Sequence, residues 1–144
     1  MSNDRLCNPI STTELERRWK AVRERMPEQK LDALIIQGAN NLAGTGGYFR
    51  WFTGVSMGTS YPATVIFPKD GPMTLVSHGP MGMERDFAGK DPVWRGVGKW
   101  LPTASFPAID YCIPYDAERV ASEIKRAGYR NVGIVAWNNM LFGF

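Results

Sequence analysis

The sequence is poor in the residues on which metal, disulfide and membrane chemistry depend. It contains one histidine and two cysteines, Cys7 and Cys112, which lie far apart and form no CxxC pair. A disulfide framework is therefore not expected, and a reducing, cytoplasmic setting is the simplest prediction. No stretch approaches the ~20 apolar residues that cross a bilayer, and the N-terminus lacks the apolar run of a signal peptide. We therefore expect a cytoplasmic protein with no membrane partner.

The sequence also contains no block of residues that carry charge of one sign. The net charge is +3 and the isoelectric point is near 9.0, but Lys and Arg are spread evenly along the chain. Because nucleic-acid binding depends on clustered positive charge, we expect no nucleic-acid partner.

Residue patterns typical of catalysis are missing. A two-metal hydrolase needs several Asp, Glu and His ligands converging on its ions, whereas His78 has no HxxxH or HExxH pattern beside it. There is no GxSxG nucleophile motif. Cys112 alternates with apolar residues in a predicted strand, which is typical of a core cysteine. The chain is therefore predicted to carry no catalytic residue and no metal site.

A glycine-rich stretch, Gly44-Thr45-Gly46-Gly47, invites comparison with a dinucleotide-binding loop. The GxGxxG motif requires a third glycine and then a helix. Here Gly47 leads directly into five bulky residues, and no P-loop lysine is present. We therefore expect no nucleotide cofactor.

Two amphipathic helices are predicted, one towards each end of the chain. Ser11 and Glu14 match the capping-box pattern S-x-x-E, and the helix they begin ends before Pro27. The basic residues of this helix fall largely off its apolar stripe and form a solvated face. Asp116 is the predicted N-cap of the second helix, which ends at about residue 127 before Gly128. The apolar stripe of the first helix consists of Leu15, Trp19, Val22 and Met26.

Five strands are predicted from apolar and β-rich runs. An Asp-Gly turn joins two of them into a hairpin, and a strand–helix–strand spacing near the end predicts parallel pairs beside it. The segment between residues 79 and 107 is rich in Gly and Pro and predicts only one helical turn, over Met83–Ala88. The predicted fold is α/β, a mixed β-sheet flanked by helices. The strands are Leu31–Ile36, Ala63–Phe67, Met73–Ser77, Ala108–Ile113 and Val132–Trp137.

A dense aromatic segment surrounds one arginine, Tyr48-Phe49-Arg50-Trp51-Phe52. In an extended chain alternate side chains point in opposite directions, so the five cannot all face the core. An arginine flanked by aromatic rings can bind a carboxylate through two hydrogen bonds and stack at the same time. Phe49, Arg50 and Trp51 are therefore the candidate substrate-binding residues. The alternative is that these residues are core aromatics beside a turn.

In order and spacing, these segments resemble the N-terminal domain of the creatinase/prolidase/aminopeptidase P family of pita-bread metallohydrolases. The similarity covers roughly residues 11–137, and one departure is the extra glycine-rich stretch Ala43–Gly47. The matching pieces are the first helix with Leu31-Asp32-Ala33-Leu34-Ile35-Ile36, Asn40-Asn41 before Trp51-Phe52-Thr53-Gly54, the hairpin, and Gly128 before Val132-Gly133-Ile134.

The resemblance implies a ribonuclease H-like α/β fold without metal ligands of its own. Catalysis would then belong to a C-terminal pita-bread domain that carries two divalent metal ions (Mn, Co or Zn), and that domain would be the chain's main partner. A homodimer is also implied, as is a small peptide or amino-acid-derived substrate for the intact protein. Residues 1–10 are predicted to be an N-terminal tail, and residues 11–144 a domain cut short at its C-terminal end, with the catalytic domain absent.

Three functions stay open at this point. The first is the non-catalytic domain of an Xaa-Pro dipeptidase or aminopeptidase, contributing to dimerisation and to the rim of the substrate site. The second is the same domain of a creatinase-like C–N hydrolase, and the third is a non-enzymatic peptide- or protein-binding module. The chain by itself is not expected to be an enzyme, whereas the intact protein is.

Overall fold

The computed structural model describes residues 10–38, 47–55, 63–80, 82–103 and 112–135 of the chain. Within them, one six-stranded sheet has the order β4-β5-β3-β2-β1-β6. The strands β1 and β6 are parallel, as are β3 and β5, and the other neighbouring pairs are antiparallel. The predicted fold class, a mixed sheet flanked by helices, is confirmed. The strands are β1 Ala33–Gly38, β2 Ala63–Pro68, β3 Met73–His78, β4 Arg85–Asp86, β5 Val97–Thr103 and β6 Val132–Val135.

The first helix, α1, covers Thr12–Arg25, close to its predicted bounds. The hydroxyl of Ser11 accepts a hydrogen bond from the backbone N–H of Glu14, the first half of the predicted capping box. The carboxylate of Glu14 does not complete the box but binds arginines of the next turn. Pro27 then begins a short 3₁₀ turn, Pro27–Gln29, that leads into β1.

The second helix, α2, covers Gly47–Thr53 and corrects the prediction for the aromatic segment, which is helical rather than extended. Its bulky residues do divide between core and surface, as inferred. The reason is not the alternation of an extended chain but that residues three apart share a face of a helix. One argument against a dinucleotide loop, that no helix follows Gly47, is therefore wrong. The missing third glycine still separates the segment from the GxGxxG motif.

The third helix, α3, covers Cys112–Ala127 and begins earlier than predicted. Cys112 and Ile113 are helical, so the strand prediction is wrong for both; residues 108–111 lie outside the described part of the chain. Asp116 is inside the helix and is not its N-cap. The predicted C-terminal end is confirmed, because the N–H groups of Gly128 and Tyr129 bond back to carbonyls of the last turn.

The middle segment contains a strand, β5, that the sequence does not predict. β5 runs beside β3, and the two-residue β4 pairs with it at the edge of the described sheet. The helical turn predicted over Met83–Ala88 is wrong, since β4 lies within it. The predicted hairpin of β2 and β3 is confirmed. Of the last predicted strand, residues 132–135 are confirmed, and residues 136–144 lie outside the described part.

Two hydrophobic cores cover the two faces of the sheet. The larger lies beneath α1 and α2 and includes Leu15, Phe49, Phe52 and Phe67. The smaller lies beneath α3 and includes Ile35, Ile66, Val76, Leu101 and Val120. Alternate residues of β1 belong to different cores, as expected of a strand covered on both faces. None of the described helices is both long and apolar enough to cross a membrane.

Candidate functional site

The helix α2 separates the aromatic segment into a buried and an exposed face. Phe49 and Phe52, three residues apart, are 0% and 4% exposed. Phe49 packs edge-on against Trp94 with ring centroids 6.4 Å apart, and Phe52 packs in the same way against Phe67 at 5.0 Å. Tyr48 and Trp51, also three apart, are 56% and 36% exposed. We call Tyr48 and Trp51 the aromatic patch.

The Thr53-Gly54 pair ends α2 and fixes its orientation. The hydroxyl of Thr53 donates to the carbonyl of Phe49 at 2.8 Å and accepts from the N–H of Val55 at 3.1 Å. Gly54 follows with a φ of +74°, a conformation that favours glycine. Its N–H donates to the carbonyl of Arg50 at 2.8 Å. The motif therefore acts as a helix stop that holds the aromatic patch at the surface.

Trp51 is paired with an arginine from another helix. The guanidinium carbon of Arg18 lies 5.2 Å from the centre of the Trp51 ring, and Nη1 of Arg18 donates to the Trp51 carbonyl at 3.1 Å. Arg18 also donates to Glu14 at 2.8 Å. Hydrogen bonds from Arg17 and then Arg18 lower the pKa of Glu14 to about 2. The sequence pattern places Arg18 on a solvated face and gives no indication of this contact.

The three predicted substrate-binding residues are thus placed differently. Trp51 is at the surface and Arg50 is partly exposed, whereas Phe49 has no exposed surface to offer a ligand. The aromatic-plus-arginine pair expected of Arg50 and Trp51 is formed in the structure by Arg18 and Trp51. A substrate contact for Arg50 and Trp51 stays a prediction.

A groove of about 430 Å³ lies over β3, β4 and β5. The indole N–H of Trp100 donates to the Ser77 hydroxyl at 2.9 Å, and the guanidinium carbon of Arg85 lies 5.4 Å from the Trp100 ring centre. Small-molecule sites commonly have this size and this mixture of aromatic walls and few polar groups. The lining residues are Leu75, Ser77, His78, Arg85, Phe87, Asp91, Val93, Trp94 and Trp100.

His78 is the last residue of β3 and lies in the wall of this groove. The described residues contain no group of three or more His, Cys, Asp or Glu that could hold a metal ion. Two divalent ions of the kind that the resemblance implies would need ligands from outside the described part of this chain.

Two further polar side chains lie buried away from this groove. Arg95 is 8% exposed and Asp116 is 2% exposed, and each has side-chain atoms without a hydrogen-bond partner among the described residues. Burial raises the pKa of Asp116 to about 6. No local sequence pattern indicates either environment, because both depend on what α1 and α3 cover.

Similarity to known proteins is found in structure and not in sequence. No protein-family model matches the chain, and no curated protein sequence matches it. Among solved structures, the chain is similar to the Xaa-Pro dipeptidase from Bacillus anthracis, with 15% sequence identity and a TM-score of 0.49. The match covers 83% of this chain and 26% of that structure, so the chain spans about a quarter of its length.

Proposed function

We propose that the chain is the non-catalytic N-terminal domain of a metallohydrolase, of the Xaa-Pro dipeptidase or aminopeptidase type. The observation that carries the proposal is the end of α2. In Trp51-Phe52-Thr53-Gly54, one of the segments that carry the sequence resemblance, Phe52 is buried while Thr53 and Gly54 end the helix. This arrangement holds Trp51 at the surface and leaves Arg50 partly exposed, so that both can border a site on another domain.

In this proposal the catalytic groups and the two divalent metal ions (Mn, Co or Zn) belong to a C-terminal domain. The chain contributes the rim of the substrate site, and the exposed Tyr48 and Trp51 contribute to a homodimer contact. Exposed aromatic side chains are common at such interfaces. A small peptide or amino-acid-derived substrate fits a rim that combines an arginine with an aromatic ring.

The test uses the complete product of the parent gene, purified with and without added Mn²⁺, Co²⁺ or Zn²⁺. We expect metal-dependent cleavage of Xaa-Pro dipeptides or of peptides with proline in the second position. We also expect this 144-residue chain, purified by itself, to show none. A creatinase-like hydrolase would instead cleave a C–N bond of a non-peptide substrate. Absence of metal-dependent hydrolysis of either kind by the complete product would contradict the proposal.

The groove over β3, β4 and β5 favours one alternative, a peptide- or protein-binding module. Its three aromatic residues, Phe87, Trp94 and Trp100, offer a stacking surface beside the cation of Arg85. If this alternative holds, the purified chain should bind peptides in the absence of hydrolysis, and Trp100→Ala should abolish that binding.

A further inference from the structure

The aromatic walls of the groove over β3, β4 and β5 are held in fixed positions. The indole N–H of Trp100 donates to the Ser77 hydroxyl at 2.9 Å, which sets the orientation of the ring. A Cβ on Gly79 would lie 2.4 Å from the same ring, so the ring lies directly against the backbone there. Trp94 packs edge-on against the buried Phe49. Two rings of the groove are therefore in place before a ligand arrives, which lowers the entropic cost of binding to them.

The groove is also open to solvent. Val93 in its wall is 44% exposed, and its three aromatic residues, Phe87, Trp94 and Trp100, are each only partly buried. A ligand can therefore reach the rings without any rearrangement of the chain. The volume of about 430 Å³ is sufficient for a ligand with a single ring system.

Arg85 brings to this groove a positive charge that no described carboxylate neutralises. Glu84 is bound to Arg119 at 2.9 Å, and Asp86 accepts a hydrogen bond from the backbone N–H two residues further on. Oδ1 of Asp91 accepts from two backbone N–H groups of the turn that follows it, at 2.8 and 2.7 Å. Within the described residues, no ion pair of 4.0 Å or less involves Arg85. The guanidinium is held over the Trp100 ring, and no described carboxylate occupies its N–H groups.

These features together select a small ligand that carries both a ring and a carboxylate. A planar apolar ring packs well on aromatic walls, and a guanidinium stacked on a ring binds a carboxylate through two parallel hydrogen bonds. Arg85 is the one guanidinium among the lining residues, which matches the single charge of a carboxylate better than the nearly double charge of a phosphate monoester. Asp91 also lines the groove and would attract a cation, but its two bonds to the backbone turn one oxygen away from a ligand.

We propose that this groove is a binding site for a small aromatic carboxylate. The ring of the ligand packs against Trp94 and Trp100, and its carboxylate accepts hydrogen bonds from the guanidinium of Arg85. Every residue involved belongs to this chain, so the proposal does not rest on the metallohydrolase function proposed above.

The first test is isothermal titration calorimetry of the purified chain with phenylacetate at constant ionic strength. Three compounds are titrated in parallel: phenylacetamide keeps the ring without the charge, acetate keeps the carboxylate without the ring, and phenethylamine reverses the charge. We expect phenylacetate to bind with a dissociation constant of about 0.1–1 mM, and the other three to bind at least about 10-fold more weakly. No saturable binding of phenylacetate, or a similar or higher affinity for any of the other three, overturns the proposal.

The second test locates the bound phenylacetate. Arg85→Gln removes the charge of an exposed side chain, so the affinity for phenylacetate should fall about 10- to 150-fold. Arg25→Gln is the matched control: it removes the same charge at an exposed residue that does not line the groove, and it should bind as the unaltered chain does. In ¹⁵N–¹H spectra of the unaltered chain, the indole N–H signal of Trp100, assigned from the spectrum of Trp100→Phe, should shift saturably with phenylacetate. Equal affinities of the two Gln variants, or binding that leaves the Trp100 signal unmoved, contradicts the site. If Trp100→Phe does not fold, the comparison of the two Gln variants decides.

Discussion

The indole N–H of Trp19 donates a 2.7 Å hydrogen bond to the carbonyl oxygen of Phe52. This bond joins α1 to α2 inside the larger core, and Trp19 is 8% exposed. The position of the aromatic patch therefore depends on α1 as well as on the Thr53-Gly54 helix stop.

Trp19→Phe should destabilise the chain by leaving the Phe52 carbonyl without its donor. A buried carbonyl that loses its partner costs about 1–3 kcal/mol. Trp51→Phe is the matched control: it keeps an aromatic ring at a partly exposed position and should cost less than about 1 kcal/mol. Urea denaturation of the three proteins measures the difference. Equal stabilities for the two variants would show that the bond to Phe52 contributes nothing.

The indole of Trp19 also explains why residue 96 is a glycine. Gly96 has a φ of +72°, and a Cβ there would lie 2.5 Å from the Trp19 ring. Gly89 has nearly the same φ, +71°, with no atom within 4 Å of the corresponding Cβ position. Both Ala variants carry the backbone strain of about 1–2 kcal/mol, but only Gly96→Ala adds overpacking, typically about 1–3 kcal/mol more. The difference in the free energy of unfolding between the two variants isolates the steric contribution, and a difference near zero would contradict the close approach.

Sequence reasoning succeeded where the signal was local. The Ser11 cap, the apolar stripe of α1 and the Asp-Gly turn each act within a few residues, and all three elements are confirmed. It failed at β5, a strand that pairs with β3 but contains Gly98 and Pro102, two residue types that are not typical of strands. It also failed at α2, since a run of aromatics favours a strand by propensity. The packing of Phe49 and Phe52 against their aromatic neighbours stabilises a helix there instead.

The candidate site was less predictable than the fold for the same reason. Arg18 and Trp51 lie 33 residues apart, and nothing in the sequence around either indicates their contact. Arg95 has the sequence context of an ordinary loop arginine until the start of α1 is placed beside it. Residue types that can bind a ligand are visible in the sequence, but which of them end up buried or paired is set by tertiary packing.

Asp116 should make the stability of the chain fall between about pH 4 and pH 6. Its pKa is raised from the ordinary value of 3.8 to about 6 by burial. The folded state therefore holds a proton that the unfolded state has released, and stability decreases as pH rises through this window. Over this window the free energy of unfolding should fall by on the order of 3 kcal/mol. The carboxyls of Glu14, Asp32 and Glu123 have lowered pKa values, so their contribution to stability is lost as pH falls below about 5, opposite in sign to the effect of Asp116.

Asp116→Asn supplies the control for that pH dependence. The amide cannot ionise, so the variant should keep its stability from about pH 4 to pH 8 and exceed the unaltered chain above about pH 6. Urea denaturation at each pH gives both curves. Parallel curves for the two proteins would show that the pKa of Asp116 is not raised in the folded state.

The last prediction concerns Arg50 and Trp51 in the protein that contains the proposed catalytic domain. If Arg50 binds a substrate carboxylate, Arg50→Ala loses a charge-assisted contact of about 1.5–3 kcal/mol. The value of kcat/KM should then fall about 10- to 150-fold with little change in melting temperature. If the exposed ring of Trp51 only walls the site, Trp51→Ala should act mainly through KM. Phe49→Ala is the structural comparison: since Phe49 is fully buried, its loss should cost about 3–5 kcal/mol of stability. Arg25→Ala, exposed at the far end of α1, controls for the removal of a positive charge. Full activity of the Arg50→Ala protein, or a drop matched by Arg25→Ala, would remove Arg50 from the substrate rim.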